Sequence, residues 1–108
     1  MSGVRASLPA PNYKGKIMSL SIRASHILVP TLEQAQSIQQ QLTEGAEFSV
    51  LAQSHSTCPS GRAGGDLGVF SRGQMVKPFE DAAYNASIGS ITDPVQTQFG
   101  YHLIQRTA

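Results

Sequence analysis

The sequence predicts a small α+β domain. Three observations carry this reading: a long run near residue 20 that alternates with period two, three later segments with helical spacing, and two short alternating runs close to the end. At 108 residues and 40% hydrophobic content, the chain makes one globular domain. A single cysteine excludes an intramolecular disulfide as reinforcement.

The first strand is read at "LSIRASHILVP". Leu20, Ile22, Ala24, His26 and Leu28 share one face, Ser21, Arg23, Ser25, Ile27 and Val29 share the other, and Pro30 ends the run. The first face is the more apolar, so His26 taken alone is a core histidine with one or two hydrogen bonds. Thr31 followed by Gln34 fits a capping box; Ala35, Ile38 and Leu42 then recur at helical spacing until Gly45 supplies a stop. "EFSVLAQSH" repeats the logic in a shorter helix, with Phe48, Leu51 and Ala52 on one side and His55 solvated at the C-terminal end. Another strand falls near "LGVF".

A third helix begins at Lys77–Pro78, where proline suits the first turn and Glu80 and Asp81 complement the dipole. Phe79, Ala82, Ala83 and Ala86 form its inner stripe before Gly89. "SITDPVQT" and "GYHLIQR" read as closing strands; His102 and Ile104 share one face of the last, Tyr101 and Leu103 the other.

Residues 1–18 read differently, as a flexible basic leader ahead of a domain over 19–108. "MSGVRASLPAPNYKGK" is rich in Ser, Gly and Pro and has no hydrophobic period. Arg5, Lys14, Lys16 and Arg23 carry the first 23 residues without an acid, whereas the remainder holds four basic and seven acidic side chains. No apolar run approaches the roughly 20 residues that cross a bilayer, and the N-terminus lacks the apolar stretch of a secretory signal. The expected compartment is the cytoplasm, or an organelle if the leader is a native targeting segment. Four scattered charges without interleaved aromatics give little basis for a nucleic-acid or membrane partner.

The stretch "CPSGRAGGDLGVFSRGQM", residues 58–75, has the density of a functional loop. Gly61, Gly64, Gly65 and Gly68 lack the spacing of a dinucleotide fingerprint, and no phosphate-loop lysine follows. Cys58 and three dispersed histidines offer none of the usual zinc spacings, so no metal is expected. Cys58 with His26 or His102 would make a thiolate–imidazole pair if the fold joined them, but no oxyanion-hole signature surrounds the cysteine. An inert, buried thiol is the ordinary alternative.

"ASHILV", "FSVLAQSHSTCPSGRAGGDLGVFSRGQMVKPFEDAAY" and "TQFGYHLIQR" occur in an order and at distances that resemble the parvulin-type peptidyl-prolyl cis/trans isomerases, particularly small single-domain prokaryotic parvulins. The likeness runs from about Arg23 to Arg106. It implies a parvulin-like, FKBP-like superfold: a four-stranded antiparallel sheet surrounded by about four helices, one of them short and within 60–66. It implies that His26 and His102 are the family's paired histidines, Cys58 its central cysteine, and Thr97 the hydroxyl that joins their network. Leu67, Met75 and Phe79 then form the proline-binding wall, with Phe99 at a flanking position. The implied activity is non-covalent acceleration of X–Pro rotation in proline-containing peptides and in unfolded or partly folded proteins, by a monomer that uses no cofactor. On this reading the glycine-rich loop is a pocket wall whose glycines let backbone pass close to the sheet.

Between Arg23 and Arg62 the sequence has neither lysine nor arginine. Phosphate-dependent parvulins place a basic cluster in a longer loop after the first strand, so phosphate-independent substrates are expected here. A non-catalytic proline-peptide-binding or chaperone-like module using the same groove is the alternative, and a nucleic-acid contact through the leader is a second one.

Overall fold

A computed structural model describes residues 21–108; the leader expected over 1–18 and the start of the first strand at Leu20 lie outside the described residues. The elements run β1 (Ser21–Val29), α1 (Leu32–Thr43), α2 (Phe48–His55), a short 3₁₀ helix (Pro59–Ala63), β2 (Asp66–Ser71), α3 (Lys77–Asn85), β3 (Val95–Thr97) and β4 (Gly100–Arg106). The four strands form one antiparallel sheet in the order β2-β1-β4-β3. This is the expected α+β architecture, with three α-helices and the short helical turn.

Local chemistry sets several boundaries. Thr31 caps α1, its Oγ1 accepting the Gln34 N–H at 3.2 Å, which satisfies one of the orphan donors of the first turn. Pro78 occupies the first turn of α3, where its missing N–H costs nothing. In the segment read as one strand, "SITDPVQT", only Val95–Thr97 joins the ladder fully, while Ile91 makes an isolated bridge to Gln105. Pro94 has no N–H to offer the strand beside it.

The sheet is buried on both sides, more so than a two-faced reading of β1 anticipates. Ile27, Val29 and Leu103 pack with Ala35, Ile38, Phe48, Leu51 and Ala52 under α1 and α2. Ile22, Ala24, Ile104 and Phe70 pack with Phe79 and Ala83 of α3 on the other side. The face that opens with Ser21 and Arg23 is solvated only at that end. There Arg23 forks onto Asp66, with Nε to Oδ1 at 3.2 Å.

Register then brings the histidines together. β1 pairs with β4 so that His26 lies opposite Ile104 and Leu28 opposite His102. Both histidines therefore stand on the α3 side of the sheet, diagonal to one another on adjacent strands. β2 reaches β1 across an irregularity between Arg23 and Ser25, where Gly65 O accepts the His26 N–H at 2.9 Å. A Cβ on Gly65 would lie 2.3 Å from the His26 carbonyl oxygen, so this close crossing requires glycine, as does its φ of 86°.

Glu80 does more than complement the dipole of α3. It is 5% exposed, and its carboxylate accepts the Gly73 N–H at 2.6 Å and an Arg72 N–H at 2.9 Å. The Gly73 N–H bond, then the Arg72 guanidinium, hold the Glu80 carboxyl below the usual range against the opposing effect of burial. This clamp ties α3 to the loop that delivers Met75.

Candidate active site

Every residue singled out from the sequence converges on one cavity of about 510 Å³ or on the hydrogen bonds behind it. Leu67 from β2, Met75 and Val76 from the following loop, Phe79 from α3 and Phe99 from the β3–β4 turn line it together with His26, His102 and Cys58. Thr97 stands behind His102. None of the side chains lining the cavity is Asp, Glu, Lys or Arg. Phe79, 3% exposed, sets its ring edge to face against both imidazoles, with centroids 5.5 Å from His26 and 5.2 Å from His102.

Cys58 is positioned by stitching between the α2 exit and β1. Ser56 Oγ accepts the Leu28 N–H at 3.1 Å and the Cys58 N–H at 3.4 Å, while the Thr57 N–H donates to Leu28 O at 2.8 Å. The chain from Ser56 to Cys58 thus hangs on the end of β1. Pro59 then starts the 3₁₀ turn and swings Ser60 back beneath the histidines.

Ser60 is the member that sequence reasoning missed. Its Oγ lies 3.1 Å from His26 Nε2 and donates to Cys58 Sγ at 3.2 Å. The only sequence signal was its place two residues after the cysteine, in a turn opened by proline. The two Nδ1 atoms of His26 and His102 are 2.9 Å apart, and Thr97 Oγ1 is 2.7 Å from His102 Nε2. Thr97 Oγ1 also accepts the Phe99 N–H at 3.1 Å.

Burial, with the neighbouring His102 as a lesser cause, lowers the His26 pKa from 6.5 to about 4, and burial lowers that of His102 likewise to about 4. Both rings are neutral near neutrality, and each carries one N–H. Since the Ser60 proton goes to sulfur, its oxygen takes the His26 Nε2–H. His26 Nδ1 must then accept from His102 Nδ1–H, and His102 Nε2 from the Thr97 hydroxyl. The hydrogen bonds run in one direction from the Phe99 amide to the Cys58 sulfur, and leave the thiol proton unspent.

Protonation opposes the folded pair. Between about pH 6.5 and about 4, unfolded histidines take up protons that the folded ones refuse, so stability falls as the pH drops through that window. Urea midpoints at about pH 7 and about pH 5 check this, with a lower midpoint expected at the acid value. Equal midpoints would contradict a neutral, buried pair.

A family model for the PPIC-type PPIase domain, or rotamase, matches residues 26–108. The chain belongs to the parvulin family. Parvulins are peptidyl-prolyl cis/trans isomerases, and two relatives illustrate the likeness. Foldase protein PrsA of Geobacillus sp. strain WCH70 is 50% identical over 97 residues, which make up 89% of this chain and 33% of that protein. Peptidyl-prolyl cis-trans isomerase Pin1 of Digitalis lanata is 51% identical over 77 residues, 70% of this chain and 65% of that one. Among solved structures, NmPin, the parvulin of Nitrosopumilus maritimus, matches with a TM-score of 0.75 at 41% identity, covering 82% of this parvulin chain and 97% of NmPin. The chain spans about a third of the length of its PrsA relatives.

Proposed function

We propose that this parvulin domain accelerates rotation about X–Pro bonds in unphosphorylated peptides and in unfolded or partly folded proteins, without a covalent step. The observation that carries the reading is the pairing of a charge-free apolar cavity with a neutral, hydrogen-bonded polar chain along one wall.

Rotation of the imide costs about 18–20 kcal/mol because it breaks amide resonance. Resonance makes the planar ground state more polar than the twisted state, so an apolar seat favours the twist. Leu67, Met75 and Phe79 grip the pyrrolidine ring, with the thioether filling the gap and the aromatic ring offering a rigid face. The prolyl ring is then fixed while the preceding carbonyl turns.

His26, His102, Thr97 and Ser60 hold Cys58 in place, and the thiol of Cys58, which lines the cavity, serves as a donor for that carbonyl. A hydroxyl can fill this role. Cys58→Ser should therefore keep kcat/KM within about an order of magnitude, one hydrogen bond being worth about 0.5–1.5 kcal/mol. Complete loss of exchange in a folded Cys58→Ser protein that still binds peptide would revive the nucleophile.

Phosphate independence has its own support. The proline cavity has no lysine or arginine in its lining, and the loop between β1 and α1 contains none. Isomerisation rates on matched Ser-Pro and phosphoserine-Pro peptides test this. Equal or lower kcat/KM for the phosphopeptide is expected; a large gain with phosphate would overturn it.

A further inference from the structure

The proline cavity does not end at Cys58. Thr57, Cys58 and Pro59 also line a second depression, of about 470 Å³, which continues past them to Gln53 and Arg62. The two spaces share this ridge as a common wall.

Arg62 is the one charged side chain in the lining of the second space, beside the neutral amide of Gln53. Ser56 and Thr57 turn their hydroxyl oxygens to β1, Ser56 accepting the Leu28 N–H and Thr57 donating to the Leu28 carbonyl. Arg62 is exposed and lines the groove without a carboxylate beside it. The other cations among the described residues are committed: Arg23 to Asp66, Arg72 to Glu80, Lys77 to Asp81, and Arg106 to backbone carbonyls. Among the described residues, Arg62 alone of the lysines and arginines has no hydrogen-bonding or ion-pairing partner.

We infer that this groove is an accessory subsite for the chain flanking the bound proline, and that Arg62 selects an acidic side chain in it. The inference rests on the proline-pocket reading above. A 3₁₀ helix rises about 2.0 Å per residue, which sets Arg62 roughly 8 Å along the turn from Cys58. Extended peptide covers about 3.3 Å per residue, so the acid falls about two to three residues from the proline. A guanidinium forks onto a single carboxylate, which suits a lone cation better than a phosphate dianion that calls for several.

Exchange spectroscopy on the full chain tests this with peptides carrying one Glu, two or three residues before or after the proline, each with its Gln counterpart. At one position the Glu peptide should have a kcat/KM about two- to fivefold above its counterpart at low salt, in the range of an exposed ion pair. That ratio should fall to about 1 in Arg62→Gln, invert in Arg62→Glu, and shrink in about 1 M salt. A ratio of 1 at every position, or one that Arg62→Glu leaves unchanged, overturns the subsite while continuing catalysis leaves the proline pocket standing. A preference equal at all positions is general charge steering and also overturns it. Absence of catalysed exchange in the unaltered protein would remove both readings.

Discussion

Replacing Phe79 by alanine is expected to lower kcat/KM for X–Pro isomerisation by about 10- to 100-fold, the equivalent of about 1.5–3 kcal/mol of lost aromatic contact. The ring has two duties: it forms part of the proline wall, and it wedges against both imidazoles. It also packs on Phe70 in the core, with centroids 6.1 Å apart, so alanine should cost about 3–5 kcal/mol of stability as well. Two companion variants separate the duties. Phe79→Leu keeps most of the core volume but loses the flat face, and Met75→Ala removes a half-buried wall residue at smaller cost to the fold. Exchange rates with circular dichroism as the check on folding should show both variants folded and slow. Normal rates in both would remove the pocket assignment.

Gly65→Ala should be among the most damaging single substitutions in the domain. The added Cβ would meet the His26 carbonyl oxygen at 2.3 Å, on a residue whose φ is 86°. Positive φ in a non-glycine residue and forced overpacking together cost about 2–5 kcal/mol. For a domain of this size that lowers Tm by more than about 10 °C. Gly68→Ala is the control: its φ is 73°, but nothing lies within 4 Å of the new methyl, so only the backbone cost of about 1–3 kcal/mol applies. Thermal melts of the two should therefore differ, with Gly65→Ala much the lower. Similar melting points would contradict the close crossing that sets His26 against β2.

The contrast between these two glycines also shows where the sequence could be read and where it could not. Local signals were legible because the residues that produce them are neighbours: Thr31 and Gln34 at the start of α1, Pro78 at the start of α3, and the alternation in β1 and β4. The likeness of the glycine-rich and "TQFGYH" blocks to parvulins located the site. The meeting of His26 with His102 is different, since 76 positions separate them and only strand register joins their Nδ1 atoms. Ile27 and Val29 looked like the weaker face of β1, because burial by α1 and α2 on that side depends on tertiary packing. The bonds of Ser60 and Glu80 are not legible in the sequence for a related reason. A serine in a turn and a glutamate in a first helical turn each have an ordinary local explanation. Their bonds to His26 and to the Gly73 amide exist only in the folded chain.

The most direct test of the account is two-dimensional NMR exchange on unphosphorylated Ala-X-Pro-Phe peptides, with X varied and the protein present in catalytic amount. The uncatalysed bond exchanges in roughly 10–100 s at 25 °C. Cis–trans cross-peaks are expected on the sub-second scale, with their intensity ranking the residues accepted before proline. Shifts in the peptide resonances that report binding, with exchange no faster than in its absence, would contradict it and leave a proline-peptide-binding module in place of an isomerase.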